Sequence, residues 1–270
     1  MTVLEAIILG LVQGLTEFLP ISSSGHLVLV PELLGIPAPP LAFDVMLHLA
    51  TLLAVAGYFA RDLYSMVVSF VAPRRLAPDE VKMWRRLTLW LILGSVPAGL
   101  AGVLLGGFFE SLFESTLAVG IFLLVTAALL TLADLVADRT VKTRTVGDMG
   151  LLDAIIVGGF QALAIAPGLS RSGATIAGGT YLGLGRAAAA RFSFLLSVPV
   201  IAGAGLLNAK DISGGFEGST GVYVAGAVAA LVAGLFAVHF MIRFLRSHRL
   251  RVFAVYTAVL GVLVIGLSLF

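Results

Sequence analysis

The sequence predicts an all-α polytopic membrane protein with an inverted-topology repeat, six transmembrane helices and two re-entrant helical hairpins. Three observations support this fold class: an apolar composition, an internal repeat, and the distribution of basic residues among the loops. Of the 270 residues, 59% are hydrophobic and only 12% are charged, whereas soluble domains carry about 25% charged residues. The chain contains no cysteine, which excludes disulfide and thiolate chemistry.

The internal repeat joins two polar segments at an offset of 148 residues. Residues 5–25 read EAIILGLVQGLTEFLPISSSG and residues 153–173 read DAIIVGGFQALAIAPGLSRSG. A repeat of this kind indicates two structural halves, each contributing a broken helical segment to a shared site. The predicted repeats are residues 1–148 and 149–270.

Six apolar segments are long enough to cross a bilayer, because a membrane-spanning helix needs about 20 residues. A seventh apolar piece, residues 63–72, is too short to cross. It is predicted either to extend the preceding helix or to lie at the membrane interface. The six predicted spans are residues 41–59, 87–107, 116–137, 190–207, 221–241 and 252–270.

Basic residues gather in three loops and predict the orientation. Loops 61–86, 138–148 and 242–251 are rich in arginine and lysine, which places them in the cytoplasm by the positive-inside rule. Loop 108–115 has no basic residue and loop 208–220 has only Lys210, so both are predicted to be external.

The loop orientation determines how the repeated segments enter the membrane. Residues 1–40 precede a span that begins outside, so they must enter and leave from the outside. Residues 150–186 follow a cytoplasmic loop and precede a span that begins inside, so they must enter and leave from the inside. Each half therefore has one hairpin and three spans, and the two halves have opposite topology.

The hairpin tips are predicted near Leu19–Gly25 and Pro167–Gly173. Pro20 and Pro167 end the first helix of each hairpin, and the serines that follow can serve as N-caps of the second. Unpaired backbone at membrane depth is tolerated only inside protein or beside a wet cavity. Two helix N-termini would then favour an anion near the midplane.

Glu17 is the most informative residue of the first hairpin. It lies four residues after Gln13, on the same helix face, and an intramembrane carboxylate usually marks function. Glu17 could cap loop amides, bind a divalent cation or act as a general base. His26 could be a buried structural histidine, a nucleophile or a proton carrier.

The second hairpin differs from the first at two decisive positions. Arg171 stands where the first hairpin has Ser23, and Ile165 stands where it has Glu17. Arg171 could pair with a distant carboxylate or bind phosphate oxygens. Carboxylate, hydroxyls, imidazole and guanidinium at one site are suited to phosphate-ester or pyrophosphate chemistry, so we expect Glu17 and Arg171 to lie close together.

Asp44 and His48 also lie four residues apart, early in the first span, and share a helix face. They could orient the site from behind the residues that touch substrate. A purely structural hydrogen-bonded pair is the equally weighted alternative.

These motifs resemble those of the undecaprenyl pyrophosphate phosphatase family of the bacitracin-resistance type. Residues 10–26 are similar to its (E/Q)xxxE motif and Ser-Gly-His stretch, and residues 167–175, PGLSRSGAT, to its PGxSRSxxT motif. The resemblance implies a bacterial inner-membrane enzyme that opens toward the periplasm and needs Mg²⁺ or Ca²⁺. The residues it assigns to the site are Gln13, Glu17, Ser22, Ser23, His26, Ser170, Arg171, Ser172 and Thr175.

Many members of the family have Glu at the first motif position, where this chain has Gln13. The motif allows Gln, but a neutral amide supplies no second negative charge, so the resemblance implies Glu17 as the main anionic metal ligand. The nucleophile stays open between Ser23, His26 and an activated water. The rival function is a polyprenyl-phosphate flippase or secondary transporter on the same frame. The expected partners are a polyprenyl pyrophosphate lipid and the bilayer, with no nucleic acid; a homodimer is left open.

Overall fold

A computed structural model describes residues 1–37, 39–139, 143–208 and 219–269. Within these residues the chain folds into eleven α-helices, joined by turns and two short 3-10 helices. The α-helices are α1 (Val3–Phe18), α2 (Ser23–Leu34), α3 (Leu41–Tyr58), α4 (Ala60–Val71), α5 (Pro78–Phe113), α6 (Thr116–Arg139), α7 (Leu151–Leu163), α8 (Arg171–Tyr181), α9 (Arg186–Leu207), α10 (Thr220–Phe244) and α11 (Arg251–Ser268).

Six of these helices are long and apolar enough to cross a membrane, which confirms the predicted polytopic helical fold. They are α3, α5, α6, α9, α10 and α11, and they coincide with the six predicted spans. Helix α5 begins well before residue 87, because Pro78 suits a first helical turn and the Glu80 carboxylate accepts the Ala77 N–H at 3.1 Å. Lys210 and most of its loop lie outside the described residues.

The apolar piece at 63–72 belongs to α4, a separate helix that begins directly after Phe59. It packs against α5 and makes little contact with α3. The prediction that it extends the preceding span is therefore wrong. The interfacial alternative stays a prediction, supported by the outward apolar side chains of Tyr64, Val67 and Phe70.

The two repeated segments fold into pairs of short helices, α1 with α2 and α7 with α8. None of the four is long enough to cross alone: α1, the longest, has 16 residues, about 24 Å at the α-helical rise. The backbone breaks are at residues 19–22 and 164–170. Ser22 and Ser170 cap the second helices, accepting the N–H of Gly25 at 3.3 Å and of Gly173 at 3.0 Å, as predicted.

Helices α2 and α8 begin within the segments that the sequence predicts as hairpin tips. Ser23 and Arg171 were placed in the turns by the sequence, but each is the first residue of a helix. The serine caps explain the difference, because they satisfy amides of the first turn immediately after the break. Ser23 and Arg171 therefore occupy corresponding positions on two rigid helix starts.

The halves pack reciprocally, each first hairpin helix lying on a span of the other half. Helix α1 packs against α10, and α7 against α5. A Cβ atom added at Gly10 would lie 2.2 Å from the Gly226 carbonyl oxygen, and one at Gly158 would lie 2.2 Å from that of Gly94. Small residues permit such close helix contact in membranes. The repeat boundaries 1–148 and 149–270 stay a prediction.

The two tips meet in the middle of the protein. Ser24 Oγ accepts the Gly168 N–H at 3.4 Å, and Ser172 Oγ donates to the Leu19 carbonyl at 2.9 Å. Gly168 has φ +87°, and a side chain there would also collide with the Val119 carbonyl oxygen at 2.3 Å. Each tip is thus fixed by a serine of the opposite hairpin.

The close helix contact gives a stability prediction. Gly158→Ala should destabilise the protein by about 1–3 kcal/mol, because the added methyl overpacks the α5–α7 contact. Gly159→Ala is the matched control, since a Cβ there has no heavy atom within 4 Å, and it should gain about 0.5–1 kcal/mol from helix propensity. Thermal unfolding in one detergent measures both; equal transition temperatures would contradict the packing argument.

Candidate active site

A cavity of about 470 Å³ lies beside the two hairpin tips. It is enclosed by both hairpins, the beginning of α3 and the ends of α5 and α9, so it lies toward the helix ends opposite the arginine-rich loops. Most of its remaining wall is aliphatic. Its polar lining residues are Glu17, Ser22, Ser23, Ser24, Asp44, His48, Arg171 and Asn208.

Glu17, in the last turn of α1, accepts hydrogen bonds from three side chains. Glu17 is only 6% exposed to solvent. Ser23 Oγ donates to Oε2 at 2.5 Å, Gln13 Nε2 donates to the same oxygen at 3.1 Å, and Arg171 Nη2 donates to Oε1 at 2.7 Å. All three partners are side chains, so the alternative that Glu17 caps loop amides is wrong. A carboxylate that receives three donors is held in its ionised, acceptor form.

Arg171 brings the guanidinium of the second hairpin to the carboxylate of the first. The two side chains that the sequence analysis expects to meet are in direct contact. The Arg171 side chain is 18% exposed and lines the cavity. Among the described residues, the Arg171 side chain makes a single hydrogen bond, to Glu17. A guanidinium has five N–H donors. The remaining donors can bind an anion, so pairing with Glu17 and anion binding are compatible.

Ser22 turns the backbone so that Ser23 faces the carboxylate. Among the described residues it is the one non-glycine with positive φ, at +70°. Such a conformation is uncommon for a residue with a side chain and persists only when the surroundings hold it in place. The Ser22 carbonyl accepts a hydrogen bond from His26 Nδ1 at 2.7 Å, and this bond helps to hold the turn in its conformation.

His26 does not line the polar cavity. His26 is 8% exposed. Its ring lies between the Ser22 carbonyl and Tyr256, whose hydroxyl oxygen is 2.7 Å from His26 Nε2. Because Nδ1 must donate to a carbonyl, Nε2 of the neutral ring accepts from the tyrosine. His26 instead lines an apolar groove between α1 and α11. The structure separates it from the carboxylate and guanidinium.

Asp44 and His48 both line the cavity, but no hydrogen bond joins their side chains. His48 Nδ1 bonds to the Asp44 backbone carbonyl at 2.8 Å, within its own helix, and its Nε2 lies 3.9 Å from Glu17 Oε2. The predicted alternative of a purely structural hydrogen-bonded pair is thus met only through the Asp44 backbone carbonyl. Asp44 Oδ1 is buried and has no hydrogen-bond partner within the described part of the chain, and the orienting role of both residues stays a prediction.

Ser170, Ser172 and Thr175 of the second motif stabilise the hairpins and do not line the cavity. Ser170 is the N-cap of α8, and Ser172 bonds to the opposite tip, as described above. Thr175 Oγ1 lies 2.6 Å from Ser193 Oγ on α9. Their assignment to substrate binding stays a prediction.

The side-chain oxygens at the cavity would suffice for a divalent cation only if a phosphate supplied further ligands. No group of three or more His, Asp or Glu residues suited to a metal occurs among the described residues. The cavity does offer the Glu17 carboxylate and the unpartnered Asp44 Oδ1, and Gln13 Oε1 is also buried without a partner. Mg²⁺ is commonly held by one or two carboxylates plus substrate phosphates, and this donor set fits that pattern.

Two residues that the sequence analysis did not select are also notable. Gln161 on α7 is buried, and neither of its amide atoms has a hydrogen-bond partner in the described ranges. Gln161 corresponds to Gln13 in the internal repeat, and this correspondence is the sequence signal that could have identified it. Tyr256 contacts His26 across the fold, and nothing in its sequence surroundings indicates this contact.

Comparison with known proteins places the chain among named relatives. The family described as bacitracin resistance protein BacA matches residues 6–263. A relative from Methanosphaera stadtmanae is 43% identical over 98% of each chain, one from Moorella thermoacetica is 44% identical over 98% of each, and one from Alkaliphilus metalliredigens is 40% identical over 100% of each. All three are named undecaprenyl-diphosphatase.

The buried ion pair gives a second stability prediction. Arg171→Met should destabilise the protein by about 3–5 kcal/mol, because Glu17 is left as a buried charge without its cation. Adding Glu17→Gln should restore part of this loss. Arg191→Met, which breaks a more exposed pair with Asp62, is the control and should cost about 1 kcal/mol or less. Chemical unfolding in detergent measures all three, and equal losses in both single variants would be contrary to this expectation.

Proposed function

The chain belongs to the bacitracin resistance protein BacA family, and we propose that it is an integral membrane undecaprenyl-diphosphatase. In this activity it converts undecaprenyl diphosphate to undecaprenyl phosphate and inorganic phosphate, which recycles the lipid carrier for cell-wall synthesis. The observation that carries the proposal is the contact of Ser23, Glu17 and Arg171 in one cavity. It combines a hydroxyl nucleophile, its proton acceptor and an anion-binding cation.

Ser23 is the proposed nucleophile, because its hydroxyl already donates to the Glu17 carboxylate at 2.5 Å. As Ser23 Oγ forms a bond to the terminal phosphorus, Glu17 takes the hydroxyl proton. The bond from that phosphorus to the bridging oxygen breaks, and the proton passes to the departing lipid phosphate. The terminal phosphoryl group is left on Ser23.

A water molecule then completes the reaction. Its oxygen bonds to the phosphorus while Glu17 accepts its proton, the bond to Ser23 Oγ breaks, and Glu17 returns the proton to the serine. Inorganic phosphate leaves and the starting state is restored. One carboxylate can serve both halves of the cycle because its two oxygens are positioned by different partners, Ser23 and Arg171.

Arg171 is proposed to stabilise the charge that develops on the phosphate oxygens. It sits at the N-terminus of α8, where the free amides of the first turn add to its positive charge. Phosphoryl transfer has a loose, charge-spread transition state, so such stabilisation is the main catalytic requirement. During binding, a phosphate oxygen would use the donors that Glu17 leaves unused.

Glu17 and Asp44 would hold a Mg²⁺ or Ca²⁺ ion together with the diphosphate. When bound, such an ion neutralises phosphate charge. Asp44 suits this role because its buried Oδ1 has no protein partner.

His26 is proposed to position Ser23 and not to attack the phosphorus. Its ring is fixed between the Ser22 carbonyl and Tyr256, and it supports the strained turn that precedes the nucleophile. Ser22, Ser170, Ser172 and Thr175 would assist through backbone and tip geometry.

The proposed location is the bacterial inner membrane, with the cavity opening to the periplasm. The basic loops at the opposite helix ends support this orientation by the positive-inside rule. Transport on the same frame is less well supported, because carrying an anion does not require a serine hydrogen-bonded to a carboxylate.

Phosphate release by detergent-purified protein tests the enzyme directly. The parent chain should release phosphate from undecaprenyl diphosphate, and Ser23→Ala should lower kcat by about 100-fold or more, since it removes the nucleophile. Ser111→Ala, an exposed serine on α5, is the control and should behave as the parent.

The same assay separates Ser23 from His26. His26→Asn keeps an N–H donor for the Ser22 carbonyl, so it should retain far more turnover than Ser23→Ala. The opposite order of activities would refute Ser23 as the nucleophile and favour His26.

Cation dependence tests the role of Asp44. Chelation should suppress phosphate release, and Asp44→Asn should raise the Mg²⁺ or Ca²⁺ concentration for half-maximal activity by about 10-fold or more. Asp79→Asn, at the exposed beginning of α5, should leave it unchanged. An unaltered cation requirement in Asp44→Asn would remove Asp44 from the proposed ligand set.

A further inference from the structure

A second, larger cavity adjoins the polar one. It has a volume of about 770 Å³ and lies in a groove between α5 and α9, with the end of α7 at its base. Ala164, Ile165, Val200 and Ala204 line both cavities, and so does Arg171. The two spaces therefore share a wall, and the guanidinium is part of it.

The walls of this α5–α9 groove are almost entirely apolar, and glycines in them make the groove wider. Gly99 and Gly102 face it from α5, and Gly203 faces it from α9. A Cβ at Gly99 or Gly203 would have no heavy atom within 4 Å. The missing side chains leave room along the groove, and Leu206 and Leu207 continue its apolar wall.

Gln161 is the observation that points to a ligand. It lines the groove and is 2% exposed, and neither its amide nitrogen nor its amide oxygen has a hydrogen-bond partner among the described residues. Leaving such a group unsatisfied destabilises a fold, and buried polar groups are nearly always bonded. Among the described lining residues, the other polar groups are Arg171 and Ser95, whose hydroxyl already bonds to Leu91 at 2.7 Å.

We propose that the α5–α9 groove binds the polyprenyl chain of the substrate, and that Gln161 donates to its lipid-side phosphate. This inference rests on the proposed function. The diphosphate would lie in the polar cavity, the bridging region beside Arg171, and the first isoprene units between the two helices. The bilayer would hold the rest of the chain.

The Arg171 wall shared with the polar cavity favours the substrate chain over a bilayer acyl chain as the occupant. An acyl chain would fill the apolar groove, but it begins at an ester and offers the Gln161 amide no anionic acceptor. A polyprenyl diphosphate satisfies both features at once, because its apolar chain begins at a phosphate. The amide would therefore acquire a partner only when substrate is bound.

Chain-length discrimination tests the groove. In the Gly203→Leu variant the new side chain fills the groove, so the ratio of kcat/KM for undecaprenyl diphosphate to that for methyl diphosphate, which has no isoprene unit, should fall by about 10-fold. Gly57→Leu on α3 is the matched control: a Cβ there also meets no heavy atom within 4 Å, and it lines neither cavity. It should keep the parent ratio.

Gln161→Leu provides a second, independent readout. Removing an unsatisfied amide should raise Tm by about 2–4 °C, while the loss of a phosphate contact should raise KM for both diphosphates by about 10-fold. A merely structural glutamine would not give a more stable protein with weaker substrate binding.

The outcomes are distinct. An unchanged chain-length ratio in Gly203→Leu, or an unchanged KM in Gln161→Leu, would overturn the groove assignment while the parent still releases phosphate. A parent protein that hydrolyses neither diphosphate would overturn the proposed function, and the groove assignment with it.

Discussion

The contact between Glu17 and Arg171 joins two hairpins whose sequences lie in opposite halves of the chain. A carboxylate and a guanidinium buried at membrane depth are costly unless they are paired, and here they pair at 2.7 Å. This requirement brings the tips together, and it aligns the starts of α2 and α8. Ser23 then reaches the carboxylate because it occupies the first position of α2. The site is thus a consequence of how the fold satisfies two buried charges.

The repeat provides a nearly symmetrical scaffold, and divergence within it provides the chemistry. Ser24 and Ser172 are repeat counterparts, and each bonds to the backbone of the opposite tip. Ser23 and Arg171 are also counterparts, but one is a hydroxyl and the other a guanidinium. Conserving the first pair keeps the frame, whereas changing the second pair places unlike groups side by side. Two identical loops could not have offered both a nucleophile and a cation.

The arrangement of the cavities follows the amphipathic nature of the proposed substrate. Polar side chains gather where the tips meet, and the apolar groove leads from there toward the lipid-facing surface between α5 and α9. Gln161 lines the groove, and its unsatisfied amide lowers the stability of the substrate-free protein. Buried polar groups without partners are expected mainly at functional positions, since elsewhere packing or hydrogen bonding removes them.

The sequence by itself determined the helical membrane fold, the six spans, the paired hairpins, their serine caps and the approach of Glu17 to Arg171. These features follow from hydropathy over about 20 residues, from loop charge and from an exact repeat offset, all of which are local or periodic signals. Only the tertiary structure decided that His26 faces Tyr256 and that the His48 ring bonds to the Asp44 backbone carbonyl and not to its carboxylate. It alone showed that Gln161 is left without a partner. Such contacts depend on how helices distant in sequence rotate and pack against one another, and no local pattern encodes that rotation.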